Sequence, residues 1–115
     1  MIKKRGSSRE VYLFGPLAVK IPLNRWGRED NKVERNLWNK TKDNRLCPLI
    51  CCLFGGMISV YRRAEPISNT RWEELISEYI ELEDWPAGDV DQQNMGILNG
   101  RIVMVDYAEE IDLYD

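Results

Sequence analysis

Three two-residue turn signals, each set between short apolar runs, constrain this chain more than any other feature. Gly15-Pro16 separates residues 9–14 from 17–21, Gly55-Gly56 separates 48–54 from 57–61, and Asn99-Gly100 separates 95–98 from 101–105. Asn-Gly supplies the two positive φ angles of a type I′ turn, whose twist matches that of paired strands, so the last of these is the clearest hairpin. Pro22 stops the strand that begins at Leu17. Three local hairpins make the expected architecture mainly antiparallel.

Two helices fit between them. Asp30 or Asn31 is a candidate cap for a helix over 30–42, with Val33, Leu37, Trp38 and Thr41 as a narrow apolar stripe. Thr70-Arg-Trp-Glu73 matches a capping box and predicts a helix over 70–83, ended by Trp85-Pro86-Ala-Gly88. In it Trp72, Leu75, Ile76, Tyr79 and Ile80 recur at helical spacing and should be buried. The order β-β-α-β-β-α-loop-β-β predicts an α+β domain, a small mostly antiparallel sheet with two helices. A single domain is expected over residues 1–108, followed by an acidic tail over 109–115.

At 115 residues the chain has material for one modest core. Its composition, 43% hydrophobic and 30% charged, is that of a globular protein and not of a disordered one. No apolar run is long enough to span a membrane, and no signal-peptide core follows the basic start Met1-Ile-Lys-Lys-Arg5, so a cytoplasmic protein is the expectation. Residues 1–45 carry 12 Lys/Arg against 5 Asp/Glu, and residues 46–115 carry 4 against 14. That division reads either as two solvated faces or as a cationic half for phosphates beside an acidic half for metal. With a pI near 5.1 and no dense basic cluster, nucleic-acid binding is not expected. Cys47, Cys51 and Cys52 lack metal-ligand spacing and the chain has no histidine, so they read as buried thiols, with the adjacent pair on opposite strand faces.

Five residues fall where phosphoryl-transfer chemistry would use them. Lys20 lies within Leu17-Ala-Val-Lys-Ile21, as in a V-A-I-K strand, where an ammonium can hold phosphate oxygens. Glu34 lies on the next helix, in the place of a carboxylate that fixes such a lysine. Asp89-Val-Asp-Gln-Gln-Asn94 has D-x-x-x-x-N spacing, and the Asn-Gly hairpin then delivers Asp106 in Asp106-Tyr-Ala108. On these residues, with Gly6-Ser-Ser-Arg-Glu-Val-Tyr12, the chain resembles the protein-kinase-like superfamily, and in particular small truncated kinase-like proteins of bacteriophages. The resemblance runs through residues 6–108. It implies a kinase N-lobe with a minimal remnant of the C-lobe. It also implies ATP and Mg2+ as cofactors, with Lys20 and Glu34 binding nucleotide, Asn94 and Asp106 binding metal, and Asp89 as catalytic base.

The departures open a second expectation. The phosphate loop lacks G-x-G-x-x-G, Ala87-Gly88 precede Asp89 in place of His-Arg, Tyr-Ala follows Asp106, and nine residues remain after it. The resemblance therefore implies either a minimal phosphotransferase or a pseudokinase serving as a protein-interaction module, a phage-encoded regulator or inhibitor of a host enzyme or defence complex. A protein partner or a second copy of the chain would then be its ligand. Other roles stay open for each residue. Lys20 suits an aggregation-blocking edge strand, Glu34 a solvated helix face, and Asp89, Asp91 and Asn94 ordinary turn chemistry.

Overall fold

The computed structural model describes residues 2–5, 8–78, 85–86 and 91–108. Strands β1 (Ile2–Arg5), β2 (Arg9–Phe14) and β3 (Leu17–Pro22) lead into helix α1 (Arg25–Thr41). Then come β4 (Leu49–Leu53), β5 (Ile58–Arg62), the two-residue β6 (Glu65–Pro66), helix α2 (Asn69–Glu78), and the hairpin β7 (Met95–Leu98) and β8 (Arg101–Met104). The fold is α+β, but with two antiparallel sheets where one was expected: a five-stranded sheet ordered β1-β2-β3-β5-β4 and a three-stranded sheet ordered β6-β7-β8. The extra sheet arises because Glu65 and Pro66 pair with Ile97 and Gly96, giving the last hairpin its own edge partner. No helix among the described residues is long and apolar enough to cross a membrane.

The expected hairpins form about their turn dipeptides. Asn99 and Gly100 have φ of 51° and 80°, the left-handed pair that a type I′ turn needs. The helix starts differ from expectation. Asn24 caps α1, its side-chain oxygen accepting the amides of Trp26 and Gly27 at 3.0 and 3.2 Å, so Asp30 and Asn31 lie inside the helix. Ser68 plays that part for α2: its hydroxyl accepts the Arg71 amide at 3.2 Å, two positions upstream of where the Thr70 box would act. In α2, Leu75 is buried while Trp72 and Ile76 are half-buried; Tyr79 and Ile80 lie outside the described residues.

The buried face of α1 is Gly27, Asn31 and Glu34, with Leu37 and Trp38 continuing it against the core. Thr41, expected in the stripe, is exposed. Gly27 lets the helix lie close over the β2–β3 hairpin, since a Cβ there would meet the Ser8 carbonyl oxygen at 2.2 Å. The core sits between the two sheets, where Leu46, Leu49 and Tyr61 meet Met95, Leu98 and Met104. A parallel bridge joins Leu46 to Met104, with the Cys47 amide donating to the Met104 carbonyl at 2.8 Å. Cys47 is buried, which pushes its thiol up to about 11, and Cys51 and Cys52 are only half-buried on opposite faces of β4. Trp26 is exposed, with the Arg25 guanidinium 4.6 Å from the centre of its ring.

Candidate functional site: a buried ion network at Glu34

Alternation along a strand decides which side chains reach α1. Arg9 pairs with Pro22, Val11 with Lys20, and Lys20 with Ser59, so Arg9, Lys20, Ser59 and Tyr61 all point to the helix side of the sheet. Glu34 meets them from α1 with no exposed surface. A carboxylate in that position must find its hydrogen bonds inside the protein. Glu34 accepts from Arg9 Nη1 and Nη2 at 2.7 and 3.2 Å and from Lys20 Nζ at 3.0 and 3.2 Å. The Tyr61 hydroxyl and the Tyr107 amide, the latter at 2.8 Å, complete the set.

The two cations reach further. Lys20 Nζ donates to the Val105 carbonyl at 2.6 Å and lies 4.5 Å above the centre of the Tyr61 ring. Arg9 donates to Asn31 Oδ1 at 2.9 Å and to Asp106 Oδ1 at 3.0 Å. Asn31 is itself fixed by donating to the carbonyls of Gly56 and Lys20 at 2.8 and 3.3 Å. Two cations thus face two carboxylates, one fully buried and one, Asp106, with its side chain 49% exposed. Burial alone would push the Glu34 carboxyl up. The charges of Lys20 and Arg9, with hydrogen bonds from Arg9 and Tyr61, instead hold it well below the usual carboxylate range. Burial lowers the Lys20 ammonium, as does the charge of Arg9, while Glu34 and Asp106 oppose both.

Lys20, Glu34 and Asp106 therefore share one network. Asn94 adjoins it through its backbone: its carbonyl accepts the amides of Val105 and Asp106 at 2.7 and 3.4 Å. Asp89 lies outside the described residues. Asp91 caps the short 3-10 turn Gln92–Asn94 by accepting the Gln93 amide at 2.7 Å, the turn role open to it from sequence. Lys20 is on an interior strand, not an edge, and Glu34 is on the packed side of α1, not a solvated one. Arg9, Asn31 and Tyr61 are the members that sequence reasoning missed. The available signal was a helical spacing of Gly27, Asn31 and Glu34, and an arginine on the same strand parity as Val11 and Leu13.

Magnesium prefers hard oxygen donors, and Asp106 offers a carboxylate. Its Oδ1, however, is held by the Arg9 guanidinium, whose charge would oppose a dication, and no group of three His, Cys, Asp or Glu is assembled among the described residues. The arrangement as it stands does not fit a resident magnesium ion. Comparisons with protein-family models, with curated proteins and with solved structures return no match. Function must be argued from the site.

Proposed function

We propose that this chain is a pseudokinase: a protein-kinase-like domain whose ion pair holds the fold together and which acts as a protein-interaction module, not as a phosphotransferase. Two features support the kinase-like part. Lys20 stands on the third strand and pairs at 3.0 Å with a glutamate on the helix that follows, the arrangement of the kinase lysine and its fixing carboxylate. Asp106 follows the Asn-Gly hairpin and meets the same network, where the resemblance puts a metal ligand.

One observation carries the inactive reading. Arg9 bridges Glu34 and Asp106, and so occupies with its own charge the ground between the lysine pair and the would-be metal ligand. Lys20 is likewise spent on Glu34 and the Val105 carbonyl. A phosphate could reach that ammonium only by displacing one of them.

A second reading has its own support. The half-exposed Asp106 beside Asn94 could receive Mg·ATP if Arg9 swung away, making the network a gate. Thermal melting with ATP and magnesium separates the two. At a hundredfold excess over its dissociation constant a ligand adds about 2.7 kcal/mol, a shift of several degrees for a chain of this size. The pseudokinase reading expects no shift with ATP, with or without magnesium. A magnesium-dependent shift that Asp106→Ala removes would replace it with the gated site.

A further inference from the structure

β4 ends the five-stranded sheet, and among the described residues no strand takes its outer side. Alternate N–H and C=O groups of this strand therefore face outward, a template on which another extended chain can pair. Edge strands are commonly blunted by charge or proline, and the run Leu-Ile-Cys-Cys-Leu has neither. Its one blunting device is the bulge between Leu49 and Cys51, which leaves Cys51, Cys52 and Leu53 in regular register with β5.

Helix α1 lays a row of cations beside this edge. Arg28, Lys32 and Arg35 recur at helical spacing on one flank of the helix. Gly56, in the β4–β5 turn, fixes which flank it is: a Cβ there would meet the Arg28 carbonyl oxygen at 2.5 Å and Lys32 Cγ at 3.3 Å. Arg28 Nη1 lies 4.0 Å from Met57 Sδ in the same turn. The opposite flank faces the start of β2, where the Ser8 hydroxyl donates to Asp30 at 2.7 Å. The row is short of counter-charge. Arg35 donates to the neutral Asn36 oxygen, Lys32 pairs with the exposed Glu29, and residues 49–62 contain no acid. At the turn end of the edge the surface is apolar, with Phe54 76% exposed and Leu53 and Met57 exposed beside it in sequence.

We propose that this corner receives an extended acidic segment of a partner protein, paired as an added strand on β4. Successive side chains of such a strand point to opposite faces of the sheet. Those on the α1 side meet Arg28, Lys32 and Arg35, and those on the other side extend the half-buried row Val19, Val60 and Cys51. The partner's signature is therefore acidic and apolar residues in alternation. The spacings agree: the three cations span about 10 Å along α1, and three alternate strand residues about 13 Å, a difference that long cationic side chains take up. The sheet edges of a second copy offer no such strand. Its β4 carries no acid and its β1 reads Ile-Lys-Lys-Arg, so either edge would set cations against cations. The inference rests on the interaction-module reading and gives that module its partner class.

Fluorescence anisotropy of a labelled peptide of about seven alternating glutamates and valines, titrated with the full chain, tests this. Glutamine in place of glutamate should weaken binding at least about tenfold, and so should Arg28→Glu combined with Arg35→Glu, with circular dichroism showing that this variant folds. Prolines at two adjacent central positions of the peptide should abolish binding, because one of them must remove a ladder donor. Hydrogen exchange with the peptide bound should slow amides of β4 and leave those of β1 unchanged. No binding overturns the proposal, as does binding indifferent to the charges or to the prolines, or protection at β1 instead. Binding that appears only after deletion of residues 109–115 assigns the corner to the chain's own acidic tail and overturns it as well. Melting with ATP and magnesium judges the underlying reading separately, since neither these cations nor β4 belongs to the Glu34 network.

Discussion

A carboxylate taken wholly out of water is tolerable only while its charge is answered, and Glu34 is answered from both sides by Arg9 and Lys20. The relation is not symmetric. Lys20→Met leaves Glu34 with Arg9, the Tyr61 hydroxyl and the Tyr107 amide, whereas Glu34→Gln leaves two neighbouring cations with neutral acceptors and, among the described residues of the network, the half-exposed Asp106 as the one remaining carboxylate. Glu34→Gln should therefore cost about 3–5 kcal/mol in urea denaturation, and Lys20→Met clearly less. Equal losses would contradict the asymmetry. Acid provides a second check. The folded Glu34 carboxyl lies below its unfolded value, so its contribution is full above the usual glutamate range and is lost as pH falls through it toward the folded value. Melting temperature should hold down to about pH 5 and then drop below about pH 4.3, with a shallower acid limb in Glu34→Gln. Lys20, Glu34 and Asp106 were legible because each occupies a position whose local context, strand, helix or hairpin end, can be read from nearby residues. Arg9 was not, since an arginine on an alternating strand ordinarily turns to water, and only a buried carboxylate 25 residues away makes the inward position favourable.

Elements were legible where a turn is decided by its own two residues. Asn99-Gly100 needs no tertiary help, because both left-handed angles are cheap for those side chains. Helix starts were less so, because several residues of capping type lie close together and only the three-dimensional path selects among them. Asn24 caps α1 because Pro22 ends β3 just before it, and Gly27 lets the first turn settle on the Ser8 carbonyl. At α2 the choice between Ser68 and Thr70 gives a direct test. Ser68→Ala should cost about 1 kcal/mol, since an orphan amide loses its acceptor, and Thr70→Ala only a few tenths. The reverse order in urea melts would return the cap to Thr70. The second sheet could not be foreseen: β6 is two residues long, one of them proline, and its pairing with β7 is set by the chain's return over the core.

At the scale of the molecule the Glu34 network joins the two sheets. Arg9, Lys20 and Tyr61 bring in β2, β3 and β5, while Tyr107, Val105 and Asp106 follow directly from β8. The apolar core between Leu46 and Met104 makes the other connection. A three-stranded sheet whose edge strand has two residues is a poor independent unit, so β7 and β8 depend on both links. Native-state hydrogen exchange should then show the amides of β7–β8 and of β2–β3–β5 opening with one common free energy. Glu34→Gln should separate them, exposing β7–β8 amides first while β2 and β3 keep their protection, because the hairpin loses its polar tie and the five-stranded sheet retains its own ladder. If β7–β8 already exchanged well ahead of the larger sheet in the unaltered chain, the network would be a local ion cluster and not the element that makes the two sheets one cooperative body.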